Sequence, residues 1–179
     1  MTPRRVAATV LCALACVGCG GRPAHRAASP VAQANATHEY PSPPPPRETA
    51  AGGATTAVRA IRAFATTYIN WNAETVAAHM RALAAQSLGQ ARSAMTLAAG
   101  QTADDYELRQ GGIANSGTVE AVAPLAGHAH EFVVVTREST SATNTTAYEG
   151  LRPAWHLALA TVLELRTGRW VLTGWQPEN

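Results

Sequence analysis

Ala57–Leu97 reads AVRAIRAFATTYINWNAETVAAHMRALAAQSLGQARSAMTL, and its spacing decides the fold. Val58, Ile61, Phe64, Tyr68 and Trp71 step by three or four, which puts them on one face of a helix. Asn72 then offers a side-chain oxygen to the free N–H groups of a second helix, whose own stripe is Val76, Met80 and Leu83. Ser87 to Leu97 continues as a third helix, with Leu88, Ala91, Met95 and Leu97 toward the core, until Gly100 interrupts it. Short amphipathic helices cannot bury such stripes by themselves, so this stretch needs a sheet to pack on.

Downstream, the sequence supplies one. Thr102 can cap a further turn through Asp104, Asp105, Tyr106, Glu107 and Leu108, with the acids near the positive end of the helix dipole, and Gly111-Gly112 ends it. The apolar period then changes to two. Thr118–Ala123 is a short strand stopped by Pro124, Glu131–Glu138 is a second, and Ser139–Thr146 is a polar surface loop. Trp155–Leu165 is the longest strand, and the Thr167-Gly168 turn returns the chain along Arg169–Trp175, where Gly174 marks a bend. Helices followed by strands predict an α+β domain over residues 57–179: three N-terminal helices packed on one curved antiparallel sheet of four strands.

Upstream, Arg4 and Arg5, an apolar run from Val6 to Val17 and small residues after it have the parts of an export signal over residues 1–18. Cys16-Val17-Gly18-Cys19-Gly20-Gly21 is similar to a bacterial lipobox, with Cys19 as the lipidated residue and Cys16 as its competitor. Cys12, Cys16 and Cys19 are the three cysteines of the chain, so a folded part that begins beyond them can hold no disulfide, zinc-thiolate site or catalytic thiol. Residues 19–56, rich in Pro and Ala and culminating in Pro41-Ser42-Pro43-Pro44-Pro45-Pro46, read as a disordered stalk. These features predict a lipid-anchored protein on the extracytoplasmic face of the cell membrane. The formal net charge is +2, and without Arg4 and Arg5 the chain has 12 basic and 12 acidic side chains. That balance argues against nucleic-acid binding, which needs a basic stripe.

Three stretches carry a resemblance: Tyr68-Ile69-Asn70-Trp71-Asn72, Gly112-Ile113-Ala114-Asn115-Ser116-Gly117-Thr118-Val119 and Gly168-Arg169-Trp170-Val171-Leu172-Thr173-Gly174-Trp175-Gln176-Pro177. With the order of elements, they resemble the nuclear-transport-factor-2-like (cystatin-like) cone. More narrowly, they resemble accessory proteins of actinobacterial conjugative elements, whose cone is similar to the periplasmic domain of type IV secretion scaffold proteins. The resemblance implies a scaffold or interaction module with a protein partner at the cell envelope, in a conjugal-transfer apparatus.

No phosphate loop, dinucleotide fingerprint, GxSxG or HExxH is present, so the sequence assigns no catalytic residue and no cofactor. The alternative use of a cone is a cavity for a small molecule or a reaction, and His79, Tyr106 and Asp104 are the candidates to line it. His128 and His130 share a spacing that could hold a metal but lack a third ligand, and read as solvated residues before a strand; His156 has no evident partner. Among the tryptophans, Trp155, Trp170 and Trp175 are candidates for a partner face, since aromatic residues anchor interfaces.

Overall fold

The computed structural model describes residues 44–178. The signal segment, Cys16, Cys19 and the larger part of the stalk lie outside the described residues. Pro46–Asn179 forms one compact unit, so the folded part starts earlier than Ala57. The segment expected to be the end of the stalk is tied down at several points. Ala51 N donates to Ala85 O at 2.8 Å, Glu48 Oε2 accepts from Gly89 N at 2.7 Å, and the Arg92 guanidinium reaches Thr49 O.

Helix α1 spans Ala57–Ile69, capped by Thr56, whose hydroxyl oxygen accepts from Arg59 N at 3.2 Å. Its buried face is Ala60, Ile61, Phe64, Ala65 and Ile69, whereas Val58 is 37% exposed. The stripe is therefore turned by about one residue from the predicted one. Trp71 is not helical at all. The chain turns extended after Asn70, and Trp71–Asn72 forms a two-residue strand, β1. Asn72 Oδ1 does accept from backbone N–H groups, those of Glu74 and Thr75 at 3.0 and 2.9 Å, so it shapes the turn before the second helix instead of capping its first residue. Helix α2 runs from Val76 to Ala85 and buries Val76, Met80 and Leu83 as their spacing predicts.

Helix α3, Gly89–Ala103, passes through Gly100 without a break and buries Ala91, Met95 and Ala99, while Leu97 is 63% exposed. Thr102 lies inside its last turn, with its hydroxyl donating to Ala98 O at 2.8 Å, and does not cap the next helix. That role falls to Asp105, whose Oδ1 accepts from Leu108 N at 3.0 Å at the start of α4, Tyr106–Gly111. Gly112 closes α4 in the left-handed conformation at φ 58°.

Four strands follow: β2 (Ala114–Pro124), β3 (Glu131–Ser141), β4 (Ala154–Glu164) and β5 (Trp170–Glu178). With β1 they make a five-stranded antiparallel sheet in the order β1-β2-β3-β4-β5, curled into a half-barrel. Register shifts at Val119/Ala121 and Thr161/Val162 supply the curl, since a bulge bends and twists its strand. Gly174 pairs with Thr161 at the second shift, where a Cβ would come within 2.9 Å of the Thr161 hydroxyl. Helix α1 lies against β2, β4 and β5, and α3 packs on α2 and β5. Between the layers sits a core built on Ile61, Phe64, Leu83, Val134, Leu172 and Trp175.

Both sheet edges are partly closed by groups that imitate a missing strand. On one side, the Asn70 carboxamide accepts from Gly117 N at 3.0 Å and donates to Gly117 O at 3.1 Å, and Arg62 donates to Val119 O at 2.9 Å. On the other side, the Gln90 carboxamide accepts from Trp175 N at 2.8 Å and donates to Trp175 O at 3.3 Å. Leu88 N donates to Leu172 O, and Ala54 exchanges two backbone bonds with Trp170 at 2.9 and 2.8 Å. Open edges invite further strands; these backbone groups are already occupied.

Candidate functional site

A cleft of about 490 Å³ opens between the helices and the end of the sheet where β3 finishes and β4 begins. That size lies within the range of about 300–1,000 Å³ usual for ligand sites. Its apolar wall is Trp71 from β1, Val76 and Met80 from α2, and Ala98 from α3. The polar wall is Tyr68 at the end of α1, Asn115 on β2, and Glu138 and Thr140 on β3. Leu151, Arg152, Ala154 and His156 form an exposed rim.

The polar wall is a connected network. Asn115 is 8% exposed, and its Nδ2 donates to Ile69 O and to Glu138 Oε2, both at 2.8 Å. Its Oδ1 accepts from the Thr140 hydroxyl at 3.1 Å, so the carboxamide orientation is fixed from both ends. The Thr136 hydroxyl donates to Glu138 Oε1 at 2.6 Å. Glu138 is thereby held by one neutral donor on each oxygen. Thr136, Glu138 and Thr140 alternate along β3 in phase with the fully buried Val134, so the inward face of this strand changes from apolar to polar as it reaches the cleft.

Tyr68 joins this network to the core. Its ring stacks at 6.3 Å from Phe64 and meets Trp175 edge-on at 5.3 Å. Burial pushes its phenol above the ordinary value of 10.0, the Trp175 indole N–H pulls it back in part, and the Glu138 charge pushes it further up. That indole N–H lies in the core, 3% exposed, close enough to influence the phenol yet without a partner in hydrogen-bonding geometry.

The residues expected to line a cavity are elsewhere. Tyr106 begins α4 and is 71% exposed, because Asp105 and not Thr102 starts that helix. Asp104 is fully exposed in the turn before it, 3.8 Å from the Arg109 guanidinium. His79 is half-buried on α2 with Nδ1 3.1 Å from Asn70 O, facing the α1–β1 turn. The histidine on the cleft rim is His156, placed there by its pairing with Thr136 in the β3–β4 register. His128 and His130 diverge: His128 Nδ1 lies 3.4 Å from Glu131 Oε2, while the His130 ring sits 5.6 Å from that of Trp170. No group of three His, Cys, Asp or Glu side chains able to hold a metal occurs among the described residues.

Of the three candidate interface tryptophans, Trp175 is core and Trp170 is half-buried beside Ala54 and His130. Trp155 is 63% exposed on the outer sheet face, with the Arg137 guanidinium 5.8 Å from its ring centre. Register places Val135 beside Leu157 and Val133 beside Leu159 on that same face. In β4 the bulky side chains thus point outward, while Ala158, Ala160 and Val162 face α1 and leave it room to approach.

Glu138, Asn115 and Tyr68 were each visible in the sequence, yet none showed itself as a site. The available signal is the in-phase Thr136, Glu138 and Thr140, which apolar alternation hides because it stops short of the strand's polar end at Ser141. The stretches that carry the resemblance are largely architectural: Asn70 bonds Gly117, Trp71 pairs with Asn115, and Trp170 pairs with Ala54. No protein-family model matches the chain, and no match to it is found among curated proteins.

Proposed function

We propose that this chain is a lipid-anchored, extracytoplasmic binding module that holds a small molecule in the cleft beside Glu138. The observation that carries this reading is the cleft's construction: an apolar wall together with one fixed carboxylate, an oriented carboxamide and a half-buried phenol. Binding is favoured over catalysis on two grounds. Each Glu138 oxygen already accepts a bond, and the Tyr68 phenol is pushed away from values at which it would exchange a proton near neutrality. The curled sheet with helices packed inside it supports a nuclear-transport-factor-2-like cone. The place in a conjugal-transfer apparatus rests on the resemblance of the three stretches quoted above.

A second reading, a scaffold that docks a protein, is favoured by the outer face of β4, where Trp155 and Leu157 are 63% and 49% exposed. The occupied edges favour docking on that face over strand addition. Native mass spectrometry of the full chain isolated from envelopes tests the cleft. A small molecule should accompany the wild type and be missing from Ala98→Phe, which fills the apolar wall. Equal occupancy in both proteins would refute the cleft reading.

A further inference from the structure

We propose that the cleft selects a ligand carrying a protonated amine on a compact apolar body, with Glu138 as the receptor of the ammonium group. This deepens the binding reading above and rests on it.

Glu138 is the one acidic side chain on the cleft wall. Ion pairs among the described residues join Arg109 to Asp104 and His128 to Glu131, so Glu138 has no cationic partner there. A half-buried carboxylate is costly unless its charge is paired. Its two neutral donors, Thr136 and Asn115, supply hydrogen bonds but no charge, and each oxygen retains a lone pair. An ammonium group supplies both the charge and the donors, since its N–H groups are charge-assisted toward a carboxylate. Tyr68 and Trp71 line the same space, and the faces of aromatic rings attract cations. Val76, Met80 and Ala98, on the apolar wall with Trp71, accept an apolar body and offer nothing to a second charge.

The competing sign of charge has its own candidates. Arg152 and His156 would draw an anion, but both are exposed on the rim, where solvent screens them. The two possibilities separate experimentally by charge alone.

Tryptophan fluorescence of the full chain would be titrated with three probes of one size: phenethylamine, phenethyl alcohol and phenylacetate. The amine should saturate roughly tenfold more tightly than the alcohol, the margin expected of one charge-assisted bond. Glu138→Gln should remove the amine's advantage over the alcohol, with an unaltered melting temperature showing that the variant folds. Ala98→Phe, which keeps Glu138, should abolish binding of amine and alcohol alike. Equal binding of amine and alcohol, or tightest binding of phenylacetate, would overturn the amine assignment while leaving the cleft a binding site. Absence of saturation by all three probes would overturn the cleft reading itself.

Discussion

Tyr68 shows how one side chain can belong to a core and to a site at once. Its ring completes the cluster with Phe64 and Trp175, and its hydroxyl faces the network around Glu138. Burial, with the Glu138 charge adding to it, makes the folded chain hold the phenol proton more tightly than the unfolded chain does. Stability is therefore untouched below the unfolded value of about 10 and falls as pH rises from there through the raised folded value. Denaturant melts at about pH 8 and about pH 11 should show the wild type losing more stability than Tyr68→Phe over that interval. A parallel loss in both proteins would place the alkaline sensitivity elsewhere. Helical spacing identified Tyr68 as inward-facing, which the half-buried ring matches, but spacing carries no information about what a hydroxyl meets across the fold. Asn115 is the same case. Its partners lie 46 and 23 residues away in the chain, at Ile69 and Glu138, so no local pattern could announce them.

At the level of elements, periodicity succeeded where one side of an element is simply buried. Val76, Met80 and Leu83 define α2, and the β3 and β4 runs were found because their alternation spans many residues. It failed where long-range bonding overrides local preference. Trp71 continues the α1 spacing, yet its backbone pairs with Asn115, and two residues are too few for alternation to register. The segment from Glu48 to Ala54 has no periodicity either; backbone exchange with Trp170 and the Arg169 bond to Gly53 O at 2.8 Å fix it in place. A chain starting at Thr56 should consequently be less stable than one starting at Pro46 by about 1–3 kcal/mol, what is left of the hydrogen bonds of Glu48, Thr49, Ala51, Gly53 and Ala54 after the entropy of ordering the segment. Urea denaturation of the two would measure it, and equal midpoints would mean that the segment merely rests on the sheet. Small residues turned inward on β4 belong to this scale too: Ala158 and Ala160 reflect the closeness of α1, a relation that alternation alone leaves undecided between the two faces.

For the whole molecule, address and activity are separable. The anchor reading lives on Cys19, and the binding reading lives on a unit that begins at Pro46. Among the described residues no helix is long and apolar enough to cross a membrane. Cys19→Ala should move the protein from the membrane fraction to the soluble one while leaving its melting temperature unchanged; retention of both proteins in the membrane would refute lipidation at that position. The α+β class could be read in advance because it depends on the order of helical and alternating segments, whereas the cleft depends on how the curl of the sheet meets two helices.

The backbone exchange between Ala54 and Trp170 also has a mechanical consequence. Tension arriving along the chain from its N-terminal side first meets the bonds of Glu48, Thr49 and Ala51 to Gly89, Arg92 and Ala85, and then Gly53 and Ala54, which pass it to β5 before it can unwind α1. Because Trp175, five residues further along that strand, is seated in the core, the load is shared by the sheet instead of being spent on peeling off the first helix. Pulled from that side, the domain would thus keep the shape of its cleft until this clasp gives way.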